Sequence, residues 1–145
     1  MPAGADLLEL EISVHAAAPT VWKAIVDDER RRDWWSYLDL DARSGGRLVE
    51  HWRDADGKPQ TTTGEVLEAE APHLLRCTWQ DDDWPAATEI ELRITDEDHG
   101  ARVRLRHAGW ERLGEWRSLR SAHEQGWKMH LANLKRYAEG GDEAA

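Results

Sequence analysis

Residues 114–140 read GEWRSLRSAHEQGWKMHLANLKRYAEG, and their periodicity decides the fold. Trp116, Leu119, His123, Trp127, Leu131, Leu134 and Ala138 step by three or four, which lines them along one face of an α-helix. Gly140 stands where such a helix would stop. A helix this long with a single apolar stripe needs a partner surface to cover that stripe. The residues before it supply one.

Immediately upstream, ATEIELRIT (87–95) and ARVRLRHAG (101–109) alternate apolar and polar residues with period two, joined by the turn DEDHG. The same period runs through residues 38–80, broken at Gly45-Gly46, at Asp56-Gly57-Lys58-Pro59 and at Ala71-Pro72. Leu8, Leu10, Ile12 and Val14 mark another half-buried strand near the start. Between it and residue 38, Pro19 suits a first helical turn, and Val21, Trp22, Ile25 and Val26 recur at helical spacing. A second short turn carries Trp34 and Trp35. The order is strand, two short helices, about six antiparallel strands, then one long helix. One face of the sheet is expected to wrap that helix and the other to meet water.

The totals narrow the function. The chain has 145 residues, 40% hydrophobic and 33% charged, which fits one globular domain over residues 1–139 with a frayed, disordered tail over 140–145. No apolar run approaches the ~20 residues of a membrane span, and the N-terminal residues lack a signal-peptide pattern, so the cytoplasm is the expected compartment. A single cysteine, Cys77, excludes an internal disulfide and any CxxC motif; on the Leu75/Trp79 face of a strand it reads as inert core. Net charge is −10, the wrong sign for nucleic acid or an anionic membrane surface, and no partner of either kind is expected. The run Arg30-Arg31-Arg32 is offset by Asp28, Glu29 and Asp33 and reads as a solvated face, so Arg31→Ala is expected to disturb neither folding nor binding.

Five segments, PTVWKAIVDDERRRDWW (19–35), SGGRLVEHWRDADG (44–57), GEVLEAEAPHLLRCTW (64–79), RLRHAGW (104–110) and GWKMHLANLKRY (126–137), fall in one order and spacing. Together they resemble the START-like helix-grip (SRPBCC) superfamily, closest to the group of activator of heat-shock protein 90 ATPase homologues and polyketide cyclases, from about Leu7 to Tyr137. The resemblance implies an α+β helix-grip fold: a curved antiparallel sheet of about six to seven strands wrapped around the long C-terminal α-helix, with two short helices after the first strand. It implies a hydrophobic cavity between these layers, in a family that mixes binders, enzymes and co-chaperone domains. It also sets the double tryptophan at the cavity mouth, where either one ring packs and the other leans over the opening, or both serve only as core packing.

Polar side chains on inward faces are then the informative ones. Leu48, Glu50 and Trp52 share one strand face, so Glu50 points inward if they do, and a carboxyl facing an apolar cavity suits acid–base work or hydrogen bonding. His107 has the inward parity of Val103 and Leu105, and His123, Trp127 and His130 share one helical stripe. Glu50, His107 and His123 are the candidate catalytic groups. The cavity is expected to be lined by Trp35, Trp52, Trp79, Leu92, Leu105, His107, His123, Trp127 and His130, a wall rich enough in indoles to favour a flat, hydrophobic or aromatic ligand. No metal is expected, since nothing has HExxH or CxxC spacing, and no cofactor, since no glycine-rich loop precedes a helix and no GxSxG occurs. The favoured expectation is a carrier or sensor without turnover. A cyclase/aromatase-like enzyme and a chaperone-associated domain acting through its surface are the alternatives. A homodimer is left open.

Overall fold

A computed structural model describes residues 7–140. The first strand, β1 (Leu8–Val14), leads into α1 (Ala18–Val26) and α2 (Asp28–Arg32). Six strands follow: β2 (Leu38–Leu40), β3 (Arg47–Arg53), β4 (Pro59–Glu70), β5 (Leu74–Asp81), β6 (Thr88–Glu97) and β7 (Gly100–Ala108). A 3-10 turn, Trp110–Leu113, then precedes α3 (Arg117–Ala138). The seven strands form one antiparallel sheet in the order β1-β7-β6-β5-β4-β3-β2, the helix-grip α+β arrangement. Of the expected tail, only Gly140 lies among the described residues; 141–145 and 1–6 are outside them.

Alternation along the strands explains which face is covered. On β7, Ala101, Val103, Leu105 and His107 are buried, while Arg102, Arg104 and Arg106 face water beside Glu9, Glu11 and Glu97. Curvature has a local cause on β4. The register shifts between Val66 and Glu68, leaving Leu67 partly exposed, and a bulge of this kind bends its strand. Gly64, just before it, is needed because a Cβ there would run into the Thr78 carbonyl oxygen.

The long helix lies against the concave face through Trp127, His130, Leu131 and Leu134. It is fastened along β1 at both ends. The Arg120 guanidinium donates to the Leu7 carbonyl at 2.9 Å, and Lys135 Nζ donates to Ser13 O at 2.9 Å. Glu139 accepts from the His15 N–H at 2.8 Å. Among the described residues, no helix is long and apolar enough to cross a membrane.

One expectation is overturned here. Arg31 is not part of a solvated face: it is 2% exposed. Its Nη1 donates to Ile25 O at 2.9 Å, its Nε to Leu38 O at 3.1 Å, and its Nη2 to Asp28 Oδ1 at 2.7 Å. One guanidinium therefore joins the end of α1, the start of α2 and β2. Its fork of donors suits three separate acceptors.

Candidate functional site

The sheet register brings three polar side chains into one row on the concave face. Glu50 on β3 pairs with Thr62 on β4, which pairs with Asp81 on β5. All three are buried. Opposite them, α3 presents His123, Gly126, Trp127 and His130 at spacings of three, one and three, a single stripe. Between row and stripe opens a cleft of ≈ 570 Å³, walled further by Trp52 and Trp79. Tyr37 and Met129, 40% and 49% exposed, stand at its mouth.

Burial governs the charges. Glu50 is taken out of water without an Arg or Lys partner among the described residues, and desolvation pushes its pKa up to about 7. Trp35 Nε1 donates to its Oε2 at 3.1 Å and partly offsets that rise. The Asp81 carboxyl is raised too, first by burial; the Thr62 hydroxyl donates to it, and Thr62 in turn accepts from Trp52 Nε1 at 3.0 Å. His130 stacks on Trp35 at 3.7 Å, and burial holds its pKa down to about 4. Its Nε2 is 3.9 Å from Glu50, outside hydrogen-bonding distance.

Two further histidines are fixed as neutral tautomers by indole donors. His123 Nε2 accepts from Trp79 Nε1 at 3.2 Å, so its proton sits on Nδ1 and goes to Leu119 O at 3.0 Å. His107 Nδ1 accepts from Trp127 Nε1 at 3.1 Å, leaving Nε2–H for Thr88 Oγ1 at 2.6 Å; Thr88 donates onward to Trp79 O at 2.7 Å. Burial lowers the pKa of both rings, which agrees with neutral acceptors. This network aims Trp79 and Trp127, two walls of the cleft.

The residues that the sequence groups in one cavity divide between two spaces among the described residues. Trp52, Trp79, His123, Trp127, His130 and Glu50 line the open cleft. Trp35, Leu92 and Leu105 line a second, wholly apolar space of ≈ 50 Å³ beneath it, and Trp79, Trp127 and His130 form the partition by lining both. His107 lines neither, being fully buried with both ring nitrogens engaged. Neither ring of the double tryptophan leans over the mouth: Trp34 lines the inner space and donates to Ala24 O at 2.9 Å, and Tyr37 takes the rim instead. Cys77 is fully buried, its thiol pushed up to about 12 by desolvation. Among the described residues, no three His, Cys, Asp or Glu side chains gather as metal ligands.

Sequence reasoning passed over Thr62, Asp81 and Gly126. A signal existed for each. Asp81 shares the strand parity of Trp79, and Thr62 is its cross-strand partner. Gly126 lies three residues after His123 and four before His130.

A model for the family described as activator of Hsp90 ATPase homolog 1-like protein matches residues 15–139. No curated protein matches the chain. Solved structures share the fold. DynU16, a protein of the dynemicin biosynthetic locus, superposes with a TM-score of 0.78 at 20% identity over 94% of this chain and 48% of its own; the chain thus spans about half of DynU16. CalU16 from Micromonospora echinospora gives 0.71 at 25% identity, covering 92% of this chain and 73% of the other. Protein CV1439 from Chromobacterium violaceum gives 0.76 at 20%, covering 92% and 98%. The chain belongs to the activator of Hsp90 ATPase homolog 1-like family, within the START-like helix-grip superfamily.

Proposed function

From that membership and the geometry of the cleft, we propose that the chain binds a flat, partly aromatic small molecule between α3 and strands β3–β5, as a carrier or sensor. The observation that carries this is the ≈ 570 Å³ opening walled by Trp52, Trp79 and Trp127, a size and lining typical of small-ligand sites. Gly126 supports it. A glycine inside a helix costs about 1 kcal/mol relative to alanine, yet a Cβ here would meet nothing within 4 Å. The absent side chain keeps the cleft wide at no packing advantage to the helix.

Native mass spectrometry of gently purified protein, repeated after denaturation, tests this reading. An added mass lost on denaturation is expected. Gly126→Leu should remove that mass while leaving stability equal or about 0.5–1 kcal/mol higher, because leucine favours helix and fills only the cleft. A clean spectrum even after exposure to cell extract would overturn the reading and favour a partner bound at the surface.

One observation favours a second reading, an enzyme of the cyclase/aromatase kind. A carboxyl with a pKa of about 7 facing a cleft is poised to give and take protons near neutrality. Glu50→Gln would then abolish turnover and spare binding; equal loss of both would count against catalysis.

A further inference from the structure

We infer that the ligand of this cleft carries a protonated amine on a flat ring system, its ammonium seated between Glu50 and Asp81 and its ring among the indoles of Trp52, Trp79 and Trp127. The inference rests on the small-molecule reading above and specifies its substrate class. It follows from which hydrogen-bonding groups of the wall are already engaged.

Every indole N–H around the cleft is committed within the protein. Trp35 donates to Glu50, Trp52 to Thr62, Trp79 to His123 and Trp127 to His107. The Thr62 proton goes to Asp81. At the rim, Arg53 Nη1 donates to Gly57 O at 2.8 Å. What the wall leaves unmatched is mostly acceptors, the remaining lone pairs of two buried carboxyls. The neutral ring of His130, 9% exposed and without a hydrogen-bond partner for Nδ1 among the described residues, adds one acceptor and one donor. A ligand complementary to such a wall brings donors.

Charge selects among donors. An anion would meet two carboxyls with no Arg or Lys within ion-pair distance of either among the described residues, Arg53 lying at the rim on Gly57 O. A neutral alcohol would bring one donor for two buried carboxyls and no counter-charge. An ammonium supplies donors together with the missing counter-charge, and tryptophan rings attract cations.

The groups facing Glu50 come from several elements. They are Tyr37 before β2, Thr62 on β4, Asp81 on β5, and His123 and His130 on α3; His51 and Arg53 lie further along β3, and Asp82 and Asp83 act on Asp81. Because both histidines are held neutral, an incoming cation meets no positive charge from α3. Binding it draws the proton off Glu50, so affinity rises as pH rises through neutrality.

The test is isothermal titration with three probes that share one ring: tryptamine, tryptophol and indole-3-propionate. At pH 8, tryptamine is expected to bind about tenfold more tightly than tryptophol, and indole-3-propionate more weakly than either. At pH 6 the tryptamine advantage should shrink severalfold, with proton release visible as a dependence of the heat on buffer ionisation enthalpy. In Glu50→Gln/Asp81→Asn the three affinities should converge to within about twofold. Gly126→Leu should block all three. If tryptophol or indole-3-propionate equals or exceeds tryptamine, and Gly126→Leu still blocks them, the amine inference falls and the cleft reading stands. If no probe binds at millimolar concentration, the amine inference also falls, and the cleft reading is then decided by native mass spectrometry. The wild-type buffer dependence needs no variant, so a folding failure of the double substitution leaves a decisive measurement.

Discussion

Arg31→Ala is expected to cost about 3–5 kcal/mol of folding stability, among the largest effects of any single polar substitution in this chain. The guanidinium is enclosed and serves three acceptors at once: Ile25 O, Leu38 O and Asp28 Oδ1. Alanine would leave two carbonyls without their donor in a buried setting, and each buried unsatisfied group costs about 1–3 kcal/mol. A void would add to that loss. Arg31→Lys should recover little, because one ammonium on a flexible stem cannot reach three acceptors in a planar fork. Arg30→Ala and Arg32→Ala serve as controls. Both arginines are exposed, and changes within about 0.5 kcal/mol are expected. Urea denaturation of the three alanine variants decides the matter. Equal midpoints for Arg31→Ala and Arg30→Ala would show that the buried fork contributes nothing.

The loss should reach the cleft as well. The Trp34 and Trp35 N–H groups both bond to Arg31 O, at 3.1 and 2.7 Å. Leu38 pairs with Glu50 in the sheet. Releasing the arginine loosens the segment that holds the Trp35 indole on the Glu50 carboxyl.

Glu50→Gln should raise stability at alkaline pH and leave it unchanged in acid. The sign follows from proton counting. Between 4.5 and about 7 the unfolded chain has Glu50 ionised while the folded chain keeps it protonated, so stability falls as pH rises through that window. That interval amounts to about 3 kcal/mol at ~1.4 kcal/mol per pH unit, and above pH 7 the folded protein bears all of it. His130 acts in the opposite sense. Its pKa is about 4 folded against an ordinary 6.5, so between those values the unfolded chain holds the extra proton and stability falls with acid. From about pH 4.5 to 6.5 the two slopes nearly cancel, with Asp81 adding to the first and His107 and His123 to the second. Glutamine keeps an oxygen for the Trp35 N–H and removes the acidic slope alone. The variant should therefore gain up to about 3 kcal/mol over the parent by pH 8.5 and match it at pH 4.5. Denaturation midpoints across that range are the measurement; parallel curves would mean that Glu50 is ionised in the native protein at all these pH values.

The fold was legible because it depends on periodicity alone. Alternation marks β6 and β7, and a three-four stripe marks α3, whatever the neighbours are. Facing direction was legible for the same reason: Leu48, Glu50 and Trp52 share a face by strand parity. Depth was not. His107 and Trp79 both point to the concave side, yet Trp79 walls an opening while His107 is enclosed, with the Trp110 ring of the 3-10 turn 4.2 Å from it. Identity also concealed two residues. Asp81 heads three consecutive aspartates at the end of β5, and Arg31 is one of three consecutive arginines. Their inward partners, Trp79 two residues away on a strand and Trp35 four away across a helical turn, carried the distinction.

Cys77 makes the molecule convenient for site-directed chemistry. It is the chain's single sulfhydryl, fully enclosed on β5 and protonated at any pH used for alkylation. A second cysteine introduced at the half-exposed rim position Met129 would be the reactive one. An environment-sensitive dye attached there would sit at the entrance to the cleft, and the native sequence needs no prior cysteine removal to put it there.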